Sequence, residues 1–240
     1  MNILIIGGGG VVGQKLAHAL AAKGVLRGQP VTRLTLADIA SPVPVEAGFE
    51  VACARCDIAD PASVARVITA DVDVIYLLAA IVSSHAEEDF EAGMKINLFG
   101  TYNVLERCRA LKTAPVVVFT SSIAIYGGEI PDPLGDHSYP NPQTSYGAQK
   151  AVGEILLNDY SRKGFVDGRA FRLPTISVRP GKPNRAASGF MSSILREPLN
   201  IVSGWKWDIH ADRALALGLT ADDSFEDNIR YYLEDDKPAG

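Results

Sequence analysis

From residue 2 to about residue 180, short apolar runs alternate with stretches whose apolar residues recur at helical spacing. The runs Asn2–Ile6, Arg33–Ala37, Glu50–Arg55, Val72–Leu78, Val116–Thr120 and Arg169–Val178 are expected strands. Between them, Val12–Lys23, Phe90–Lys112 and Ser145–Lys163 carry helical patterns. Asp60-Pro61-Ala62 opens a further helix, with Asp as N-cap and Pro at the first helical position. Neighbouring parallel strands need a crossover connection, usually a helix. The alternation therefore predicts an α/β fold, a doubly wound parallel sheet covered by helices on both faces.

The 240 residues, 47% hydrophobic and 21% charged, suit a soluble globular protein. A formal net charge of −5 and a pI near 5.4 argue against nucleic acid or an anionic membrane as partner. The apolar run Val74–Val82 is too short to span a bilayer, and residues 1–6 lack the basic start of a signal peptide. The cytoplasm is the expected compartment. Cys53-Ala-Arg-Cys56 has the spacing of a redox or zinc pair. In a strand, however, residues three apart face opposite ways, so structural cysteines are expected. The histidines at 18, 85, 137 and 210 show no ligand spacing, and no metal site is expected.

Gly7-x-x-Gly10-x-x-Gly13 follows the first strand and opens the first helix. In that context the glycines allow a tight turn and close backbone approach, and the helix N-terminus favours a pyrophosphate. Asp38 ends the second strand, at the right distance to accept hydrogen bonds from an adenosine ribose, with a turn cap as its other reading. A carboxylate there repels a 2′-phosphate, and no arginine follows it at once, so NAD is favoured over NADP. Asp57-Ile58 ends the third strand where an adenine would lie. Leu78-Ala79-Ala80 ends the fourth, where small residues let backbone pass close to a nicotinamide ribose. Ordinary strand-end packing remains the alternative for both. The predicted sheet is thus of the Rossmann type.

Tyr146 and Lys150 lie four apart on a predicted helix and so share one face. A nearby ammonium favours the phenolate, which equips Tyr146 to move a proton. With a serine hydroxyl from Ser121-Ser122, this is the equipment for hydride transfer at an alcohol carbon.

Together, Gly7/Gly10/Gly13, Asp38, Ser122-Ile-Ala-Ile-Tyr-Gly127 and Tyr146/Lys150 resemble the extended short-chain dehydrogenase/reductase superfamily, which includes epimerases and dehydratases. Asn97 matches that family's asparagine on the helix after the fourth strand. The likeness covers about residues 1–181. Phe119–Gly128, Thr144–Ala151 and Leu173–Asn184 more narrowly resemble its D-erythronate dehydrogenase branch, whose implied activity is NAD-dependent oxidation of a four-carbon sugar acid at C2. The resemblance implies Tyr146 as base, Lys150 binding the nicotinamide ribose, and Ser122 holding the substrate oxygen. It also implies Val11, Val12, Asn97 and Leu173 as cofactor contacts, with Thr175 on the substrate side.

A sugar acid needs a cation for its carboxylate, and Arg179, Lys182 and Arg185 follow the last expected strand. Ser83, Ser84 and His85 are candidates for its hydroxyls. Arg172-Leu-Pro-Thr replaces the Arg-x-x-Asn of nucleotide-sugar epimerases, which argues against a bulky nucleotide-sugar. About forty residues follow Asn200, fewer than the family's substrate domain requires. The expected division is therefore a cofactor domain over 1–181 and a reduced C-terminal substrate region over 182–240. The resemblance implies a homodimer through the helices around 90–112 and 145–163, with Leu105, Ile155 and Leu156 as candidate contacts and packing on this chain's own sheet as their equal alternative. Nucleotide-sugar epimerisation and non-catalytic NAD binding remain open as alternatives.

Overall fold

The computed structural model describes residues 1–176 apart from Ile130, Asp132 and Asp136. The division expected at 181/182 lies outside these residues. Six strands form one parallel sheet: β1 (Asn2–Ile6), β4 (Arg33–Asp38), β5 (Glu50–Arg55), β6 (Val74–Leu77), β7 (Val116–Ser122) and β8 (Asp167–Leu173). Their order is β5-β4-β1-β6-β7-β8. The chain runs outward from β1 through β4 to β5, then returns to β6 on the other side of β1. At that reversal the connections leave β1 and β6 in opposite directions, which opens a crevice beyond their C-terminal ends.

The two-residue period of β1 builds both halves of the core. Ile3 and Ile5 pack with Ala17 and Leu20 of α1 (Val11–Lys23). Leu4 and Ile6 face the other layer, with Val64 of α2 (Pro61–Val67), Val104 and Leu105 of α5 (Gly100–Leu111), and Leu157 of α6 (Ser145–Arg162). Each such side chain, fully buried, contributes about 1.5–3 kcal/mol. The predicted cap of α2 is present: the Asp60 carboxylate accepts from the N–H groups of Ala62 and Ser63 at 3.0 and 3.1 Å.

Several elements differ from expectation. β8 occupies Asp167–Leu173 rather than Arg169–Val178, and it stops before Pro174, which has no N–H to continue a ladder. β6 is confined to Val74–Leu77 because the Val72 N–H turns back to Thr69, and Asp73 joins the end of β1 instead. The helix expected over 90–112 is three pieces: α4 (Phe90–Gly93), a π-helical segment Met94–Phe99, and α5. α3 (Ser83–Glu88) and a hairpin of β2 (Val25–Leu26) with β3 (Gln29–Pro30) carried no periodic signal strong enough to anticipate. The hairpin turns through Arg27 and Gly28, both at positive φ.

Cys53 packs against one core layer and Cys56 lies in the other, as strand geometry requires, and both are free thiols. Burial pushes the Cys56 thiol up to about 11 and Cys108 to about 12, so neither is a ready nucleophile. Leu105 is wholly buried in its own core and has no surface for a second copy, which corrects that expected contact. Leu156 packs partly on the same core, whereas Ile155 is 68% exposed. Among the described residues no helix is long and apolar enough to cross a membrane.

Candidate active site

The site is assembled at the crevice between β1 and β6. Gly7 has φ 97°, and a Cβ there would meet the Ala79 nitrogen at 2.6 Å. A Cβ on Gly13 would lie 2.2 Å from the Gly7 carbonyl oxygen. Both glycines are therefore demanded by the packing of the turn. Gly10 is different. Its φ is −76° and the nearest atom to a Cβ would be 3.4 Å away, so nothing in the protein requires glycine there. Gly10 is also the N-cap of α1, whose first turn has neither a side-chain cap nor an acidic residue. The space beside Gly10 and the uncapped N–H groups behind it, on Val11 and Val12 in the first turn, fit a dinucleotide pyrophosphate.

Asp38 sits across from this turn. One carboxylate oxygen accepts from the Gly9 N–H at 2.9 Å and the other from Ile39 N–H at 2.7 Å. The residue caps the glycine turn, and lone pairs remain on both oxygens for ribose hydroxyls. Asp57 is half-buried at the end of β5, accepting from Ala59 N–H at 2.9 Å. Ile58 is 4% exposed, and its side chain fills the space that a Cβ on Gly100 would need. Its side chain therefore belongs to the core and does not line the cleft.

A cleft of about 460 Å³ runs from Val12 past Leu78, Ala80 and Ile81 to Ser122, Tyr146 and Lys150. Ser83, Leu173 and Thr175 line its outer part. Ala79 lies behind Gly7, its N–H donated to Ile6 O. Arg179, Lys182 and Arg185 lie outside the described residues. The three expected catalytic groups therefore share one cavity, Ser122 from the end of β7 and Tyr146 with Lys150 from α6.

Each is held by a local cause. Ser122 ends β7 and caps the following 3₁₀ turn, its Oγ accepting from Ala124 N–H at 3.1 Å. That bond uses an acceptor lone pair and leaves the hydroxyl hydrogen for another partner. Tyr146 and Lys150 occupy adjacent turns of α6, with the ammonium 5.7 Å from the tyrosine ring centroid. Lys150 is 3% exposed, donates to Thr120 O at 2.8 Å and lies 4.7 Å from the Phe119 ring centroid. Desolvation lowers its pKa from 10.5 to about 8. At pH 7 the group is still mostly an ammonium, with two of its three hydrogens left for a ligand.

Several supporting residues carried no signal in the sequence. Thr144 caps α6 by accepting from Gly147 N–H, and Glu87 of α3 accepts from Ser145 N–H at 2.8 Å. Asn97 does not line the cleft. Its side chain exchanges hydrogen bonds with both backbone groups of Ile81 and donates to Gln149 Oε1 at 2.8 Å. Asn97 thus ties the cleft floor to the catalytic helix through Gln149, which lies between Tyr146 and Lys150. This corrects the expectation of direct cofactor contact by its side chain. The π-helical segment carries Asn97 to this position.

The NAD dependent epimerase/dehydratase family model matches residues 3–204, and the chain belongs to that family. It is 52% identical over 207 residues to the D-erythronate dehydrogenase of Cupriavidus necator, covering 85% of this chain and 64% of that protein. Identity to the D-erythronate dehydrogenase of Haemophilus influenzae is 46% over 200 residues, or 83% and 62% of the two chains. Among solved structures, the nucleoside-diphosphate-sugar epimerase from Agrobacterium tumefaciens matches with a TM-score of 0.77 at 50% identity, over 82% of this chain and 59% of that one. The chain spans less than two thirds of the length of each of these relatives.

Proposed function

We propose that the cleft performs NAD-dependent oxidation of a small sugar acid, D-erythronate at C2 to 2-dehydro-D-erythronate. The observation that carries this reading is Lys150, an ammonium removed from water and set beside the Tyr146 ring in the cavity that holds Ser122. Among the described residues no carboxylate pairs with this buried cation, and burying a charge in that way costs stability, which favours a functional role for it. The two D-erythronate dehydrogenases similar to this chain support the substrate assignment.

Tyr146, ionised beside the Lys150 charge, removes the substrate hydroxyl proton. Ser122 donates its free hydroxyl hydrogen to the same oxygen and orients the carbon. Lys150 turns its two unused hydrogens to the ribose hydroxyls of the cofactor. NAD held there would supply the hydride acceptor, and the oxidation would balance as CH–OH and NAD⁺ giving C=O, NADH and a proton. Gly10 and the α1 N-terminus hold the pyrophosphate, Asp38 the adenosine ribose, and Asp57 with the Ile58 backbone the adenine. Leu78, Ala79, Ala80 and Leu173 flank the nicotinamide end. Ser83 and Thr175 meet substrate hydroxyls, and Arg179 or Arg185 its carboxylate. The working state is a cytoplasmic homodimer. The exposed side chains of Ile155 and Val152 on α6, with Phe99 and Tyr102 on the neighbouring helix, form its apolar contact.

The likeness to the nucleoside-diphosphate-sugar epimerase from Agrobacterium tumefaciens supports a second reading, nucleotide-sugar epimerisation. A screen of four-carbon sugar acids for NADH absorbance separates the two. Net NADH with D-erythronate is expected. Turnover of a UDP-sugar without net NADH would replace dehydrogenation by epimerisation.

A further inference from the structure

We infer that Gln14 is a positioning residue for the adenosine end of the cofactor, clamping the glycine turn to the loop that follows Asp38. The inference rests on the NAD reading of the site. Gln14 lies in the first turn of α1, and its Nε2 donates to Gly8 O at 2.6 Å and to Val43 O at 3.2 Å. The other end of the Gly8–Gly9 peptide is also held, since Gly9 N–H donates to Asp38 at 2.9 Å. One peptide unit of the turn is therefore pinned by an amide on its carbonyl and a carboxylate on its N–H.

The second bond matters because it joins the glycine turn to the segment after β4, whose other polar anchor is the Arg55 side chain donating to Ile39 O at 3.2 Å. Residues 41–47 have no regular structure, and Ile39 and Val43 are 59% and 71% exposed. The core takes up the chain at the buried Pro42 and again at Val45, which is 6% exposed, so Val43 is the outward-facing residue between two anchors. Gln14 closes a ring through Gly8, Gly9, Asp38 and Val43, so the turn facing the pyrophosphate and the carboxylate facing the ribose hold a fixed separation. Without the Gln14 amide, the Gly8 carbonyl loses its donor, the Gly8–Gly9 peptide can rotate, and the loop around Val43 is no longer tied to the turn. Asp38 then loses its fixed direction. The nicotinamide end is built from β6, β7 and α6 and does not depend on this ring.

The test is titration calorimetry of the full chain with NAD, AMP and nicotinamide mononucleotide. Gln14→Leu keeps the approximate size and removes both donors. It is expected to weaken NAD and AMP about tenfold each, the equivalent of two ordinary hydrogen bonds, and to leave nicotinamide mononucleotide unchanged. Gln14→Glu sets a carboxylate against two carbonyl oxygens, so its larger deficit should shrink between about pH 7 and pH 5 as the acid protonates and regains a donor. In ligand-free protein, amide exchange at Gly9 should accelerate in both variants. Unchanged AMP affinity, or an equal loss for nicotinamide mononucleotide, overturns the inference. If the wild-type chain binds neither NAD nor AMP, the cofactor reading itself fails, while the exchange rate at Gly9 still judges the clamp.

Discussion

Replacing Lys150 with Met gives a prediction whose size follows from the structure. The ammonium is buried, and its pKa falls from 10.5 to about 8. A gap of that size corresponds to about 3 kcal/mol at 1.36 kcal/mol per pH unit. Below about pH 8 both folded and unfolded chains carry the proton, and the folded state bears the whole cost of burying the charge. Between about pH 8 and 10.5 the unfolded chain holds the proton that the folded chain has released, so wild-type stability rises with pH. Lys150→Met has no such term. Urea unfolding of both proteins at matched pH, each in a Tyr146→Phe background because Lys150 acts on the Tyr146 phenol, cancels the remaining tyrosines, cysteines and carboxylates they share. The stability of the variant relative to its Lys150 counterpart should therefore fall by about 3 kcal/mol between pH 7 and pH 10.5. A difference that stays flat across this window would refute the claim that the ammonium is desolvated.

Other substitutions address the turn, a helix cap and the surface. Gly13→Ala should cost about 3 kcal/mol or prevent folding, because its Cβ would meet the Gly7 carbonyl oxygen at 2.2 Å. Gly10→Ala should unfold within about 1 kcal/mol of wild type in urea yet lose at least about tenfold in NAD affinity by calorimetry. Asp60→Ala should lower stability by about 1 kcal/mol without changing NAD affinity, since the cap serves α2 alone. Ile155→Glu should leave thermal stability nearly unchanged and turn a dimer into a monomer in sedimentation equilibrium.

The sheet was readable because burial on both faces makes each parallel strand a continuous apolar run, and Gly or Asp marks its end. Asn2–Ile6 came out with the expected bounds for that reason, whereas Glu50–Arg55, an edge strand without a buried residue, did so because charged residues bracket its short apolar run. β8 was misplaced because Arg169 and Arg172 break its apolar run, while the β-branched residues beyond Pro174 drew the expected strand too far along the chain. Tyr146, Lys150 and Ser122 were legible because helix spacing and the strand end fix where they point. Gln14, Gln149 and Glu87 were not. A polar side chain on a helix surface reads as solvated until tertiary structure brings it an acceptor or donor, here Gly8, Asn97 and Ser145. The π-helical segment escaped for a similar reason, since its residues have ordinary helical periodicity.

The claim that matters most is that Tyr146 transfers the proton in an NAD-linked oxidation. It is tested by Tyr146→Phe, assayed for NADH formation with D-erythronate beside calorimetric binding of NAD. The account predicts that NADH formation falls by at least about a thousandfold, in the range of lost general-base catalysis, with NAD affinity unchanged. Turnover at the wild-type rate in that variant would contradict it.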